Sequence, residues 1–241
     1  MYGILCATPE ELAALQSRLS IGPEARRHGP TGVWRGRHRD RDLALAISGI
    51  GKVNAAAAAT LLLESYGATT LIFSGVAGGL NPDLAVGSVL LGERLGIHDY
   101  GIVTGRQFTP TDYGIIPVGA PRLEAPPPVP TEVRDRLVAL RDAMRGRIGH
   151  PVELGAILTA DYFLNCAETR DDLRAAFNAD AVDMESGAVN QVALAWGVPL
   201  YVIRTLSDLA GDDSHLSYTE LAGMAAANSA ACVIELLEML E

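Results

Sequence analysis

The sequence predicts an α/β fold, a single domain in which a central mixed β-sheet is flanked by helices. Short apolar, β-branched runs alternate along the chain with longer stretches of helical period, the pattern of a parallel or mixed sheet covered by helices. The 241 residues show no internal repeat and no second domain, so residues 1–241 are read as one unit. Hydrophobic residues make up 49% and charged residues 20%, a globular balance that excludes intrinsic disorder and collagen-like repetition.

The first strand is expected at Gly3 to Ala7, an apolar run. Thr8 then offers a natural N-cap, Pro9 suits the first helical position and Glu11 completes a capping box, so a helix is expected over Glu10 to Leu19. The strand Leu43 to Ser48 leads through Ser48-Gly-Ile-Gly-Lys52, a glycine-bearing turn, into a helix over Val53 to Tyr66. The strand Thr70 to Ser74 runs into Ser74-Gly-Val-Ala-Gly-Gly79, whose three glycines permit a tight turn. Two short strands follow, Ser88 to Leu91 and Gly155 to Leu158, with a helix over Thr131 to Arg145 between them. Helices at Glu168 to Ala176 and Ser186 to Trp196, a strand at Leu200 to Leu206 and a helix at Tyr218 to Leu240 complete the set. Gly101 to Pro130 carries neither period and ends in Pro126-Pro-Pro-Val-Pro130, so it reads as a long surface loop, of the kind that serves as a lid or partner contact or is disordered.

Acidic residues outnumber basic ones by 29 to 19, and the net charge of −10 opposes any sequence-independent hold on nucleic acid and any anionic membrane surface. Apolar stretches such as Ala55 to Leu63 fall short of the roughly 18 residues of a membrane span. Met1 leads directly into Tyr2 with no basic n-region or cleavage site, so the expected location is the cytoplasm. Cys6, Cys166 and Cys232 are odd in number, far apart and in apolar surroundings, which fits reduced, buried thiols. Without CxxC, HExxH or histidines at ligand spacing, no metal and no cofactor is expected. Lys52 is the only lysine beside 18 arginines, a bias ascribed to base composition, although it sits in a glycine-rich turn.

Four stretches put polar groups at strand ends or helix starts, where open α/β sheets bind ligands. Glu11, in the first, is either a capping-box residue or a catalytic carboxylate. The turn around Gly49 and Gly51 lacks the spacing of a nucleotide-triphosphate loop, and the run from Ser74 to Gly79 reads equally as a ligand turn or a close-packed one. In the fourth, double stretch, Val182-Asp-Met-Glu185 opens a helix and Arg204-Thr-Leu-Ser-Asp208 closes a strand. Either carboxylate alone could serve a helix dipole. If the strands are neighbours, however, Glu11, Glu185 and Asp208 converge on one cleft, where crowding would push their pKa values apart as acid and base roles require.

In order along the chain, SGIGKVNAA, SGVAGGL, LTADYFLN, VDMESGAV and RTLSDLAGDDSHLSY resemble the 5′-methylthioadenosine/S-adenosylhomocysteine nucleosidases of the purine nucleoside phosphorylase superfamily. The resemblance runs nearly end to end, except over Gly101 to Pro130, and implies a nucleoside phosphorylase-like fold. It implies hydrolysis of the N-glycosidic bond of a 5′-thioadenosine, with Glu11 activating the attacking water and Asp208, supported by Ser207, protonating N7 of adenine. Met184 and Glu185 would line the ribose and Phe163 would stack on the adenine. The backbone at Leu164 would read the ring edge, and Ile50 and Tyr218 would line the 5′ pocket. Val76 stands beside the sugar where these nucleosidases usually have serine. Related phosphorylases have an arginine and a serine where this chain has Phe73 and Val76, so phosphate would find neither ion pair nor hydroxyl there and water is the expected nucleophile.

The resemblance also implies a homodimer in which the segment after His98-Asp99 completes the partner's 5′ pocket. Here Phe108 and Tyr113 are the equivalents, in a segment longer and differently spelled than usual. The alternatives are a relative acting on another 5′ group, such as a futalosine-type hydrolase, a purine nucleoside phosphorylase, or an inactive nucleoside-binding protein. Cleaving an N-glycosidic bond independently calls for an acid, because adenine leaves poorly as an anion, and for a carboxylate near a ribosyl group that becomes cationic.

Overall fold

A computed structural model describes residues 1–240. Its first half comprises β1 (Tyr2–Cys6), α1 (Pro9–Gln16), β2 (Ser20–Ile21), β3 (Arg26–His28), β4 (Thr31–His38), β5 (Arg41–Ile47), α2 (Lys52–Tyr66), β6 (Thr70–Gly79), β7 (Val89–Ile97), β8 (Gly101–Thr104) and β9 (Gln107–Pro110). There follow α3 (Thr131–Met144), β10 (Val152–Thr159), α4 (Ala167–Phe177), β11 (Ala181–Asp183), α5 (Ser186–Trp196), β12 (Leu200–Asp208) and α6 (Ser214–Met239). The fold is the expected single-domain α/β one. One mixed sheet runs β11-β10-β7-β12-β6-β1-β5-β4-β2, and β3 adds to β4. A further antiparallel pairing of β11 with β6 closes β6, β12, β7, β10 and β11 into a ring.

That closure positions the site. Gly78 of β6 is opposite both Val182 of β11 and Asp208 of β12, so segments 104 and 130 residues downstream meet at one backbone position. A Cβ on Gly78 would lie 3.0 Å from Asp208 Oδ1 and 3.2 Å from the Ala210 Cβ, which is why glycine stands there. The run Ser74 to Gly79 is therefore the second half of strand β6 and not the expected turn. Its glycines make room for side chains from neighbouring elements.

The helices follow local chemistry. Thr8 caps α1, accepting from the Glu11 N–H, and the reciprocal capping-box bond from the Glu11 side chain is present. On α2, Ala55, Ala58, Ala59, Leu62, Leu63 and Tyr66 form the buried face at helical spacing, and Gly67 ends the helix in the left-handed conformation at φ 67°. Full burial of side chains such as Leu62, Leu71, Ile72 and Leu91 contributes about 1.5–3 kcal/mol each.

Several expectations are corrected. Val182–Glu185 does not open a helix: Ala181–Asp183 is a strand paired with β10 and β6, and α5 starts only at Ser186. The segment 101–130 is not a featureless loop. β8 and β9 form a hairpin about Gly105, at φ 65°, and bridges tie Arg94 to Pro128 and Thr111 to Arg122. Strands β2 to β4 carry little signal in the sequence: β2 and β3 are only two and three residues long, and β4 has two glycines and exposed Arg35 and Arg37 within it. The last helix begins at Ser214, four residues before the expected start. By length and composition α6 could cross a membrane, with mean hydropathy 1.3, but half of that window is buried within the protein, much of it against β12 and β6, so its apolar character serves the core. Cys6 and Cys232 are buried free thiols, whereas Cys166 is only half-buried at the start of α4.

Candidate active site

At the carboxyl ends of these strands lies a cavity of about 490 Å³. Residues from seven separate segments line it. Glu11 comes from α1, Ile50 from the turn after β5, Val76 from β6, Phe163 and Leu164 from the loop after β10, Met184 and Glu185 from the β11–α5 junction, and Ser207, Asp208 and Tyr218 from β12 and α6. Every site residue expected from the sequence thus reaches one cavity.

Glu11 is 4% exposed and fully bonded to backbone donors. Its Oε2 accepts from the N–H groups of Ala7 at 2.6 Å and Thr8 at 3.1 Å, and its Oε1 from Val76 at 3.1 Å. The capping box is therefore real, but it uses one oxygen and leaves the other beside β6. Burial raises the pKa of Glu11 despite the Arg204 charge and these three donors.

Asp208 ends β12 and is 2% exposed. Its Oδ2 accepts from the Ser207 hydroxyl at 2.9 Å and its Oδ1 from the Ala210 N–H at 2.8 Å. Burial pushes its pKa up, the requirement for a carboxyl that must deliver a proton. Crowding by other carboxylates, the expected cause, instead acts on Glu185. Burial first, then the charges of Asp183 and Glu11, raise Glu185 to about 7 against the opposing pull of Arg204. Glu185 Oε1 accepts from the Gly51 N–H at 3.0 Å, so the glycine turn after β5 serves the site by presenting a backbone donor.

Beneath the carboxylates lies Arg204, a charge with no solvent exposure that sequence reasoning quoted but left without a role. Its Nε donates to Asp183 Oδ2 at 2.9 Å, its Nη2 reaches Glu185 Oε2 at 3.5 Å, and the Ser186 hydroxyl takes bonds from both nitrogens. Its guanidinium lies 4.0 Å over the ring of Phe73. Asp183 is held in turn by the hydroxyls of Thr159, at 2.6 Å, and Ser186. A buried pair of this kind costs about 3–5 kcal/mol when one partner is removed. Among the described residues, Arg204 Nη1 has no hydrogen-bond partner. The signal for this network was present in the sequence, an arginine inside an otherwise apolar strand together with a second carboxylate in Val182-Asp-Met-Glu185.

The remaining walls are apolar. Phe163 and Tyr218 meet edge to face with ring centroids 6.0 Å apart, and both are partly open at the cavity mouth. Tyr162, His215 and Thr219 also line the cavity and were not foreseen. No lysine or arginine is among the lining side chains. Phe108 and Tyr113 do not reach this cavity. Phe108 points to solvent from β9, and the Tyr113 hydroxyl accepts from Asn190 Nδ2 at 2.9 Å in a second cavity beside Lys52 and Gln191.

Comparison with known proteins bears on this geometry. A family model described as the Phosphorylase superfamily matches residues 1–238. The chain is 37% identical over 250 residues to the 5′-methylthioadenosine/S-adenosylhomocysteine nucleosidase of Mycobacterium tuberculosis, covering 99% of this chain and 97% of that relative. Among solved structures, the futalosine hydrolase of Helicobacter pylori aligns with a TM-score of 0.86 at 25% identity, covering 99% of this chain and 97% of that one. The H. pylori 5′-methylthioadenosine/S-adenosylhomocysteine nucleosidase, solved with a substituted pyrrolidine ligand, aligns with a TM-score of 0.84 at 27% identity over the same shares of the two chains.

Proposed function

The chain belongs to the 5′-methylthioadenosine/S-adenosylhomocysteine nucleosidases of the phosphorylase superfamily, and we propose that it hydrolyses the N-glycosidic bond of one or both of these nucleosides to adenine and the 5′-thioribose. The observation that carries the reading is the convergence of Glu11, Glu185 and Asp208 on one largely apolar cavity. In this account the adenine stacks on Phe163 beside the Leu164 backbone. Asp208, whose pKa burial raises, donates a proton to N7 as the base departs, and Ser207 holds one of its oxygens. The ribose lies over Met184, and the Glu185 carboxylate grips its hydroxyls. Charge building on the ribosyl carbon meets a cluster of anionic groups in a dry site, where such stabilisation is strongest. Glu11 takes the proton of the attacking water.

Water as nucleophile follows from the same residues. Phosphate needs cationic and hydroxyl donors, whereas Phe73 is spent on Arg204, Val76 offers no hydroxyl, and the guanidinium is already neutralised by Asp183 and Glu185. The acidic, lysine-free lining equally disfavours 5′-phosphorylated nucleotides. A futalosine-type substrate is the second reading, supported by the alignment with that hydrolase; the higher identity to the nucleosidases over nearly the whole chain favours the first. An inactive binding protein would have no use for Glu11 as a base.

The reading includes a homodimer in the cytoplasm. Its support is a set of exposed apolar residues on one segment, Ile115, Ile116 at 79% and Val118 at 75% exposure, close in sequence to Phe108 and Tyr113. Incubating the purified protein separately with methylthioadenosine, S-adenosylhomocysteine and futalosine, and following release of the base, tests the substrate class. Adenine from either of the first two, with futalosine intact, is the expected result. Turnover of futalosine alone would move the protein to the second reading.

A further inference from the structure

The chain's single lysine closes a ring of hydrogen bonds that joins the start of α2 to the loops after β7 and β10. Lys52 Nζ donates to Asp99 Oδ1 at 2.5 Å and lies 3.6 Å from Asp161 Oδ2. The Lys52 backbone N–H donates to Asp161 Oδ1 at 2.8 Å, and the Asp161 N–H donates to Asp99 Oδ2 at 2.9 Å. The three residues come from the starts of α2 and of the loops after β7 and β10. Lys52 and Asp99 are about one-quarter exposed, so their ion pair is less screened than one on the open surface.

None of these three side chains lines the active cavity, yet two of the segments they fasten, at Gly51 and after Asp161, serve it. The residue before Lys52 is Gly51, whose N–H is the donor to Glu185 Oε1 at 3.0 Å. The residues after Asp161 are Tyr162, Phe163 and Leu164, which form one wall of the cavity. Gly51 sits at φ 96°, and a Cβ there would stand 3.2 Å from Asp161 Oδ1, so a glycine at this position lets the ring close. A displacement of Lys52 is therefore transmitted through one peptide to Glu185 and through Asp161 to Phe163.

We propose that Lys52 is a positioning residue for the glycosidase site, which with Asp99 and Asp161 holds the Gly51 N–H on Glu185 and the Phe163 wall over the base. This rests on the function proposed above for Glu185 and Phe163. Lys52→Met and Asp99→Asn each break the ring at a different atom and touch no substrate.

The experiment measures kcat/KM for methylthioadenosine in the two single variants and in the Lys52→Met, Asp99→Asn double variant. It also places Lys52→Met in a Glu185→Gln background. Each single variant is expected to lose about 10–100-fold, the scale of a site group moved by about an ångström, and the double variant is expected to lose no more than the worse single. In the Glu185→Gln background, Lys52→Met should cost less than about half as many powers of ten, because the amide accepts from the Gly51 N–H but no longer carries the charge whose placement that bond serves. Losses that multiply in the double variant or persist undiminished in the Glu185→Gln background, or single variants with wild-type kcat/KM, would overturn the proposal. Amide hydrogen exchange of the unliganded proteins gives a readout independent of the substrate. Faster exchange at residues 49–52 and 160–164, with α3 unchanged, is expected in both single variants, and unchanged exchange in those segments would overturn the ring even if the wild type proved to act on another nucleoside.

Discussion

Arg204 Nη1 and Glu11 Oε1 face the same point on β6: a Cβ on Gly75 would lie 2.1 Å from the nitrogen and 2.6 Å from the oxygen. The arginine is fixed from its other side by Asp183, so the unbonded Nη1 is held next to a carboxylate that is itself fixed by three backbone donors. Of the two, only Glu11 lines the cavity, with the guanidinium buried behind it, so a carboxylate held in one orientation is presented to a water molecule that must be oriented and then deprotonated.

Glu11→Gln separates the two roles of this residue. Glutamine also serves in a capping box, so the fold should survive, with thermal unfolding close to that of the wild type. Turnover should fall by roughly 10²–10⁴-fold, the scale of a lost general base, while adenine still binds by calorimetry. A stable variant with full activity would leave Glu11 a helix cap and nothing more.

Asp208→Asn is nearly isosteric and retains an oxygen for the Ser207 hydroxyl or the Ala210 N–H. It has no carboxyl proton to give N7, and kcat should drop by about 10²–10⁴-fold. Adenine release followed by absorbance measures this directly, and near wild-type turnover would remove Asp208 from the chemistry.

Glu185 gives the protein a pH dependence whose sign is set by burial. Its pKa rises from 4.5 to about 7 on folding. Between those values the unfolded chain has ionised while the folded one still holds the proton, so stability falls as pH rises through this window. The loss is on the order of 2–3 kcal/mol, and denaturant titrations at pH 5 and pH 7 should show a larger fall in stability in the wild type than in Glu185→Gln, where the raised Glu11 and Asp208 remain. Activity moves the other way. The ribose hydroxyls are gripped by the ionised form, so kcat/KM should climb toward pH 7, and that limb should be absent from the Glu185→Gln profile.

The site was more legible in the sequence than the network that supports it. Glu11, Glu185 and Asp208 carried their own signals, each at a strand end or helix start, and the motifs around Phe163 and Tyr218 placed the walls. Asp183 and Arg204 lie 21 residues apart and pair only because β11 closes the ring of strands onto β6. The glycines of β6 looked like a turn because a glycine that makes room for Arg204, Glu11 or Asp208 is indistinguishable in sequence from one that bends the chain. The hairpin in 101–110 had a readable sign, Gly105 as the first of its two turn residues, outweighed by the prolines that follow.

The proposed dimer predicts a coupled loss of assembly and specificity. Replacing Ile116 and Val118 together with aspartate should give a monomer by sedimentation without reducing helix content, since both side chains are exposed in the single chain. If the segment completes the partner's 5′ pocket, KM for methylthioadenosine should rise far more than KM for adenosine, which lacks the apolar thioether. An active dimer with unchanged KM would place the interface elsewhere.

The most direct test of the account is the identity of the sugar product. Methylthioadenosine is incubated with the protein in the presence and absence of millimolar inorganic phosphate, and the products are resolved by mass spectrometry. A glycosidase whose buried Arg204 is tied to Asp183 and Glu185 should yield adenine and free methylthioribose at the same rate in both reactions. Formation of methylthioribose 1-phosphate, or turnover that requires phosphate, would contradict it.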